Sequence, residues 1–365
     1  MAALDLLSLA YALGQCDSAM RFSDPEHRAI DALAIVAEAW RAYRRDAGAG
    51  ETGVAHAATF DDDAVLLTHD PRRDAVLLWL ADHASPAIAA AAATLAKMVD
   101  ARRPFAPDAL ALLDAAQAAL ARPPGPGALA FVLELDTMPV EHPLRMTRPV
   151  IGAIDALLAD PAFAEALGHD ALLDLPGGPL PHYVAAAPSG CWALNLAMLC
   201  GPGGSAPLLP GCVPRAAFRL DVTTEERASA LVAHWTRTAQ ASLERLHRID
   251  RRYARGLAAL AGRSRNARAR DAWGLIVGLG TVRRIHVARA LRLSRAGADI
   301  QAHALAEAGL VSLVPGGRIQ PAPHRPMPVA DALDDGPLGQ ARADVDASLA
   351  AIDRLLARTA AAPVR

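Results

Sequence analysis

Residues 223–226 read Thr-Thr-Glu-Glu, placing a hydroxyl and a carboxylate three positions apart at the start of a helical pattern. In a capping box the Thr side chain accepts from the Glu backbone and the Glu side chain accepts from the Thr backbone, which fixes the first turn. The pattern then runs to Leu260, weakened only by Gly256. Leu243, Leu246, Tyr253, Leu257 and Leu260 follow steps of three and four, interrupted by Asp250, so one seam is apolar. A long helix over 223–262 cannot bury that seam alone. It packs on the rest of the chain or on a second copy, which would make a homodimer.

The remaining sequence offers helices as partners. Alanine is the commonest residue, aromatics are 4% of the chain, and Lys97 is its sole lysine, a mixture that predicts a mainly α protein. At 365 residues the chain is long enough for two or three domains. Asp24-Pro25-Glu26 opens a helix to about residue 46, with Ile30, Leu33, Ile35, Val36 and Trp40 at helical spacing and arginines late. Further helices over 73–83, 85–101 and 107–121, broken at Ser85-Pro86 and Arg103-Pro104, predict an antiparallel helical array over 1–122. Pro/Gly-rich breaks at 122–127, 176–181 and 201–214 bound a mainly helical middle region, 128–220. Helices are expected there at 149–158 and 161–167, while 128–135 fits helix or strand equally. One more amphipathic helix is expected at 338–360.

Charge is unevenly spread. From 234 to 270 ten arginines stand against two acids, and from 271 to 325 seven stand against three. These segments sum to plus eight and plus four, so a whole chain at minus two leaves minus fourteen elsewhere. Cations concentrated on one module are what binding to a phosphate backbone requires, because displaced counterions supply the affinity. A basic helix face neutralised by the acidic half of its own chain gives the same totals.

The order of elements after residue 267 separates these readings further. An apolar-faced helix (Trp273, Leu275, Ile276, Val277) is stopped at Gly278-Leu279-Gly280. Thr281 then caps a second helix, 282–291, with Ile285, Ala288 and Leu291 inward, and His286 is expected at the surface. Arg292-Leu293-Ser294 makes a tight turn, Ser294 caps a third helix through Ala308, and Gly309 ends it. Residues 310–314, the turn Pro315-Gly316-Gly317 and residues 318–320 form a small β-hairpin. Three helices followed by a hairpin is the order of a winged helix-turn-helix. VARALRLS followed by ALAEAGLV resembles the pattern of bacterial winged helix-turn-helix DNA-binding domains, over 267–321. The preceding RLHRIDRRYARGLAALAGRSRNARARDAW is similar to the lead-in of bacterial proteins with Fic-type or uncharacterised helical N-terminal regions. The Fic motif itself is absent, since His142-Pro143 matches only two letters, and no adenylyl transfer is inferred.

The resemblance implies double-stranded DNA as partner, with the third helix in the major groove. Ile300, Ala304, Leu305 and Ala308 would then face inward, leaving Arg295, Ala298, Asp299, Gln301 and Ala302 to reach the bases. Arg295 suits guanine, Gln301 adenine, and Asp299 only a cytosine amino group. Arg283, Arg284, Arg289 and Arg292, together with the N-cap Ser294, would hold the backbone. Arg318 in the hairpin and Arg263, Arg265, Arg268 and Arg270 would extend the phosphate track. The alternative is a protein-docking scaffold whose third helix binds a partner protein.

Motifs for chemistry are incomplete. Gly201-Pro202-Gly203-Gly204-Ser205 lacks the Gly-Lys-Ser/Thr ending of a phosphate loop, Gly278-Leu279-Gly280-Thr281 lacks the dinucleotide fingerprint, and there is no H-E-x-x-H. Ser189 lacks the glycines of a nucleophile elbow, and Cys191 and Cys200 near His182 have no structural-zinc spacing. Asp61-Asp62-Asp63 reads as a solvated loop, and Glu134 and Asp136 share a face only if their segment is a strand. No cofactor or metal is therefore expected, and an enzyme in the N-terminal helical region without a recognisable motif is the least supported alternative. Met1 to Leu13 has no basic lead and 86–99 is too weakly apolar to span a bilayer, so a cytoplasmic protein without membrane contact is expected, its N-terminal partner unknown.

Overall fold

Helix α2, Pro25–Ala47, is wrapped on nearly every side. Ile30, Asp31, Ala32, Leu33, Ile35, Val36, Ala37, Ala39, Trp40, Ala42 and Tyr43 are all buried. An α-helix hydrophobic around most of its circumference belongs inside a core rather than on its edge. The computed structural model describes residues 3–47, 70–122, 144, 147–164, 169–176, 178–184, 190–200, 211–261 and 267–322. The protein is mainly helical, with small antiparallel sheets.

Against α2 pack α3 (Pro71–His83), α4 (Pro86–Val99) and α7 (Cys191–Ala197), while α5 (Pro107–Ala121) packs on α6 (Arg148–Leu157) and α7, and α1 (Ala3–Phe22) precedes α2 in the chain. Proline begins α3, α4 and α5, where a missing N–H costs nothing, and Asp70 caps α3 by accepting from the Arg72 amide at 2.9 Å. Trp192 of α7 packs edge-on to Tyr43 at 5.0 Å and stacks with Phe105 at 5.7 Å. Asn195 locks the segment after residue 211 to α7: its amide donates to Val213 O at 2.9 Å and its oxygen accepts from Val213 N at 3.0 Å.

The middle region departs from the helical expectation. Residues 161–163 are turns, and the Pro/Gly break lies in a hairpin of β1 (His169–Leu175) and β2 (Gly178–Val184), with Leu172 opposite Pro181. Both strands of a two-stranded sheet are edges, so proline removes no ladder bond that an inner strand would need.

The long helix α8, Thr224–Leu260, carries the expected capping box, with Glu226 N to Thr223 Oγ1 at 3.2 Å and Thr223 N to Glu226 Oε2 at 2.9 Å. Its buried seam is Ser242, Leu246, Ile249, Tyr253 and Gly256: Leu246 and Tyr253 are buried as expected, while Leu243, Leu257 and Leu260 are half-buried. The seam lies against α1, α2 and α9 (Ala267–Leu279). Gly256 is the contact point: a Cβ there would collide with the Trp273 indole, whose Nε1 donates to Arg252 O at 3.2 Å. At Gly278 a Cβ would meet Ile30 O at 2.9 Å, so this glycine admits α2 and lies inside α9, while Gly280, φ +78°, ends the helix.

After α9 come β3 (Val282–Arg283), α10 (Arg284–Leu291), α11 (Arg295–Glu307), β4 (Val311–Val314) and β5 (Arg318–Pro321), with an antiparallel sheet in the order β3-β5-β4. Thr281 is not the cap of the second helix; Val282 and Arg283 are extended and pair with Ile319 and Arg318. Residues up to Pro321 form one compact unit, and the apolar core is continuous through α2, α8 and α9. The expectations for 48–63, 128–135, Glu134, Asp136, His142-Pro143, Ser189, 201–205, Arg263, Arg265 and 338–360 lie outside the described residues.

One ion pair crosses this core. Arg245 of α8 donates from Nε to Asp31 Oδ1 at 2.6 Å and from Nη1 to Glu38 Oε2 at 3.1 Å, with Asp31 only 1% exposed. Arg245→Ala strands a buried carboxylate and is expected to cost about 3–5 kcal/mol in urea unfolding. Asp31→Leu with Arg245→Met removes both charges and is expected to cost clearly less; equal losses would refute this account of the pair.

Candidate nucleic-acid interface

The corner between α10 and α11 is three residues long. Arg292 closes α10 in the left-handed conformation, φ +52°, and Leu293 N donates to Ala288 O at 2.8 Å. Ser294 then caps α11, its Oγ accepting from Gly297 N at 3.0 Å. Glycine takes a positive φ without steric cost, whereas an arginine there carries a conformational penalty.

The inward stripe of α11 is Ala298, Gln301, Ala302, Ala304 and Leu305, the last two as expected, packed toward α9 and β4. Ile300 is 58% exposed, so the helix is rotated from the expected phase. Alanines allow a close approach to the core, and that displaces the larger isoleucine outward. Gln301, expected on a base edge, is 7% exposed and its Oε1 has no hydrogen-bond partner among the described residues. Ala298 and Ala302 are likewise inside. The outward face is Ala296, Ile300, His303 and Glu307, with Arg295 at its N-terminal edge. His303 Nδ1 lies 2.8 Å from Asp299 O and therefore donates to it, leaving Nε2 as the other polar atom of the ring. Ile300 and His303 were not legible as outward residues, because hydrophobicity alone ranks isoleucine above alanine for burial.

The expected arginines divide into two sets. Arg284 Nη1 pairs with Asp299 Oδ1 at 3.0 Å, so this acid serves a neighbour within the fold. Arg289 Nη1 donates to Met98 O at 3.2 Å, at the end of α4. Arg270 pairs with Glu26 and donates to the Tyr253 hydroxyl at 3.1 Å, and the guanidinium holds the Glu26 carboxyl below its usual range. Arg268 pairs with Asp271 at 3.2 Å. Arg318 is half-buried on β5. Arg283, Arg292 and Arg295 are exposed, and no carboxylate among the described residues pairs with them. They belong to the start of α10, the corner, and the start of α11.

His286 is not at the surface. It is 7% exposed, and its Nδ1 accepts from Arg283 N at 3.4 Å, which places the ring proton on Nε2 when the ring is neutral. Ala288 is buried as expected and Val287 shares its burial, while Ile285 and Leu291 are half-exposed, so the inward side of α10 differs from expectation in part. Helix α10 packs on α4, which accounts for the shift.

No protein family, curated protein or solved structure matches this chain. Its own geometry therefore carries the argument. Among the described residues no three His, Cys, Asp or Glu side chains gather to hold a metal, and no helix is long and apolar enough to cross a membrane. All four cysteines are free, and burial pushes the Cys16 and Cys200 thiols up to about 11, far from nucleophilic.

Burial, reinforced by Arg283, Arg73 and Arg289, pushes the His286 pKa down to about 4. The folded ring stays neutral while the unfolded ring takes a proton below about 6.5. Stability is complete above that pH and declines as pH falls toward 4, by on the order of 3 kcal/mol. Urea unfolding between pH 7 and 4.5 is expected to show a shallower decline for His286→Gln than for the native chain; parallel declines would remove His286 as the cause.

Proposed function

We propose that residues 267–321 form a winged helix-turn-helix and that the protein binds duplex DNA through it, in a role such as transcriptional regulation or plasmid or chromosome maintenance. One observation carries the reading: Arg292 keeps a guanidinium at a left-handed corner, exposed and without a carboxylate partner among the described residues, between Arg283 and Arg295. A side chain held at a conformational cost supports a use for that side chain. The element order, three helices with a β-strand between the first two and a hairpin after the third, supports the same module.

In this reading α11 enters the major groove and Arg283, Arg292 and Arg295 hold phosphates on either side of the corner. Ile300 offers an apolar contact for a thymine methyl and His303 Nε2 a polar contact, while Arg295 is the one guanidinium at the mouth of the groove. Arg318 on β5 would lie with the wing. Such an endowment favours backbone affinity over sequence discrimination.

A second reading, docking of a partner protein, is favoured by outward Ile300 with Glu307 about two turns further along the same face, since a solvent-facing isoleucine on a face that carries an acid suits a protein surface better than a polyphosphate. The corner residue separates the two. Arg292→Gly is expected to raise stability by about 1 kcal/mol in thermal unfolding by relieving the left-handed arginine. It is also expected to weaken duplex binding and lower the salt dependence, the slope of log affinity against log salt, by about one. A stabilised variant that binds duplex with undiminished affinity and slope would remove the corner as the binding site, and no duplex binding by the native chain at low salt would overturn the DNA reading in favour of docking.

A further inference from the structure

Carboxylates of α2 answer arginines of α8 and α9 on one side of the long helix. Asp31 and Glu38 go to Arg245, Glu26 goes to Arg270, and Asp250 of α8 itself meets His27 at 3.1 Å. Beyond them, Arg248, Arg251 and Arg252 have no carboxylate partner among the described residues, and Arg255 is exposed one turn further on. At about 100° per residue these four lie within about 100° of the helix circumference. Glu244 marks the upstream end of the same line, and exposed Ala254, Ala258 and Ala259 accompany it, small enough to let a polymer come close.

We infer that Arg248, Arg251 and Arg252, continued by Arg255, form a second polyphosphate-binding strip on α8, which takes the sugar-phosphate backbone of a nucleic acid without reading its sequence. The strip stands on its own surface of α8 and deepens the DNA reading without using any residue of the α10–α11 corner. From Arg248 to Arg255 the helix rises about 10 Å. One strand of a duplex presents a phosphate every 3.4 Å or so of axis, so about three fall within that length. Like charges held this close raise the energy of the bare surface, and Arg252 shows it: burial, and then Arg248 and Arg255, lower its pKa. Polyphosphate relieves that repulsion, whereas a helix C-terminal dipole alone offsets only the last turn. The arginine fork suits phosphate oxygens in particular.

Fluorescence anisotropy of the full chain with a labelled 24-base-pair duplex of random sequence, titrated across salt, tests the strip. Arg248→Glu with Arg251→Glu is expected to lower the salt slope by about two, and Arg248→Gln with Arg251→Gln by a similar amount, a check should the acidic pair impair folding. Unchanged slopes in the glutamine pair overturn the strip. Arg283→Glu with Arg292→Glu isolates the corner: loss there with an unaffected strip variant keeps the DNA reading and removes the strip, and the reverse keeps the strip and removes the reading. Poly-glutamate that displaces the duplex from the native chain at equal charge concentration would show an acidic-protein surface and overturn the nucleic-acid assignment.

Discussion

A carboxylate sealed in the middle of an apolar helix sets the terms for everything around it. Asp31 sits on α2 among Ile30, Leu33 and Val36, and Arg245 reaches its buried carboxylate from a helix more than two hundred residues away. A buried charge left alone costs several kcal/mol, so the pair fixes both the axial position and the rotation of α8 against α2. Once α8 is placed, Gly256 lies where the Trp273 indole must pass, and α9 is clamped between α2 and α8. The elements after α9 inherit that position.

Local chemistry was legible in the sequence, and three-dimensional closeness was not. Thr223 and Glu226 announced the start of α8, and Ser294 and Gly309 bounded α11, because each acts on backbone groups within a few residues. The rotation of α11 was hidden, since it depends on how near α9 and β4 come, and that nearness is what Ala298 and Ala302 permit. His286 was misjudged for the same reason: its burial comes from α4, distant in sequence. Gly256 and Gly278 read as a weak point and a stop, whereas both are sites of close packing. Pro179 and Pro181 read as a break and turned out to belong to a strand with an open edge.

The charge division seen in the composition also resolves into particular pairs. Part of the basic half is indeed answered by the acidic half, at Arg245 and Arg270. Arg283, Arg292 and Arg295 near the corner and Arg248, Arg251 and Arg252 on α8 are not answered by any described carboxylate. A near-neutral chain thus keeps localised cationic surfaces, which whole-molecule charge conceals.

The clamped position of α9 has a mechanical consequence. DNA-binding modules often ride on tethers that let them swivel to suit the spacing of their targets. Here α9, the first helix of the proposed module, is also a beam of the main body, packed on α2 and α8. Under the DNA reading, adjustment to a target would have to come from the target bending or from the whole body tilting, and a fragment cut away at α9 would carry a bare apolar flank into water.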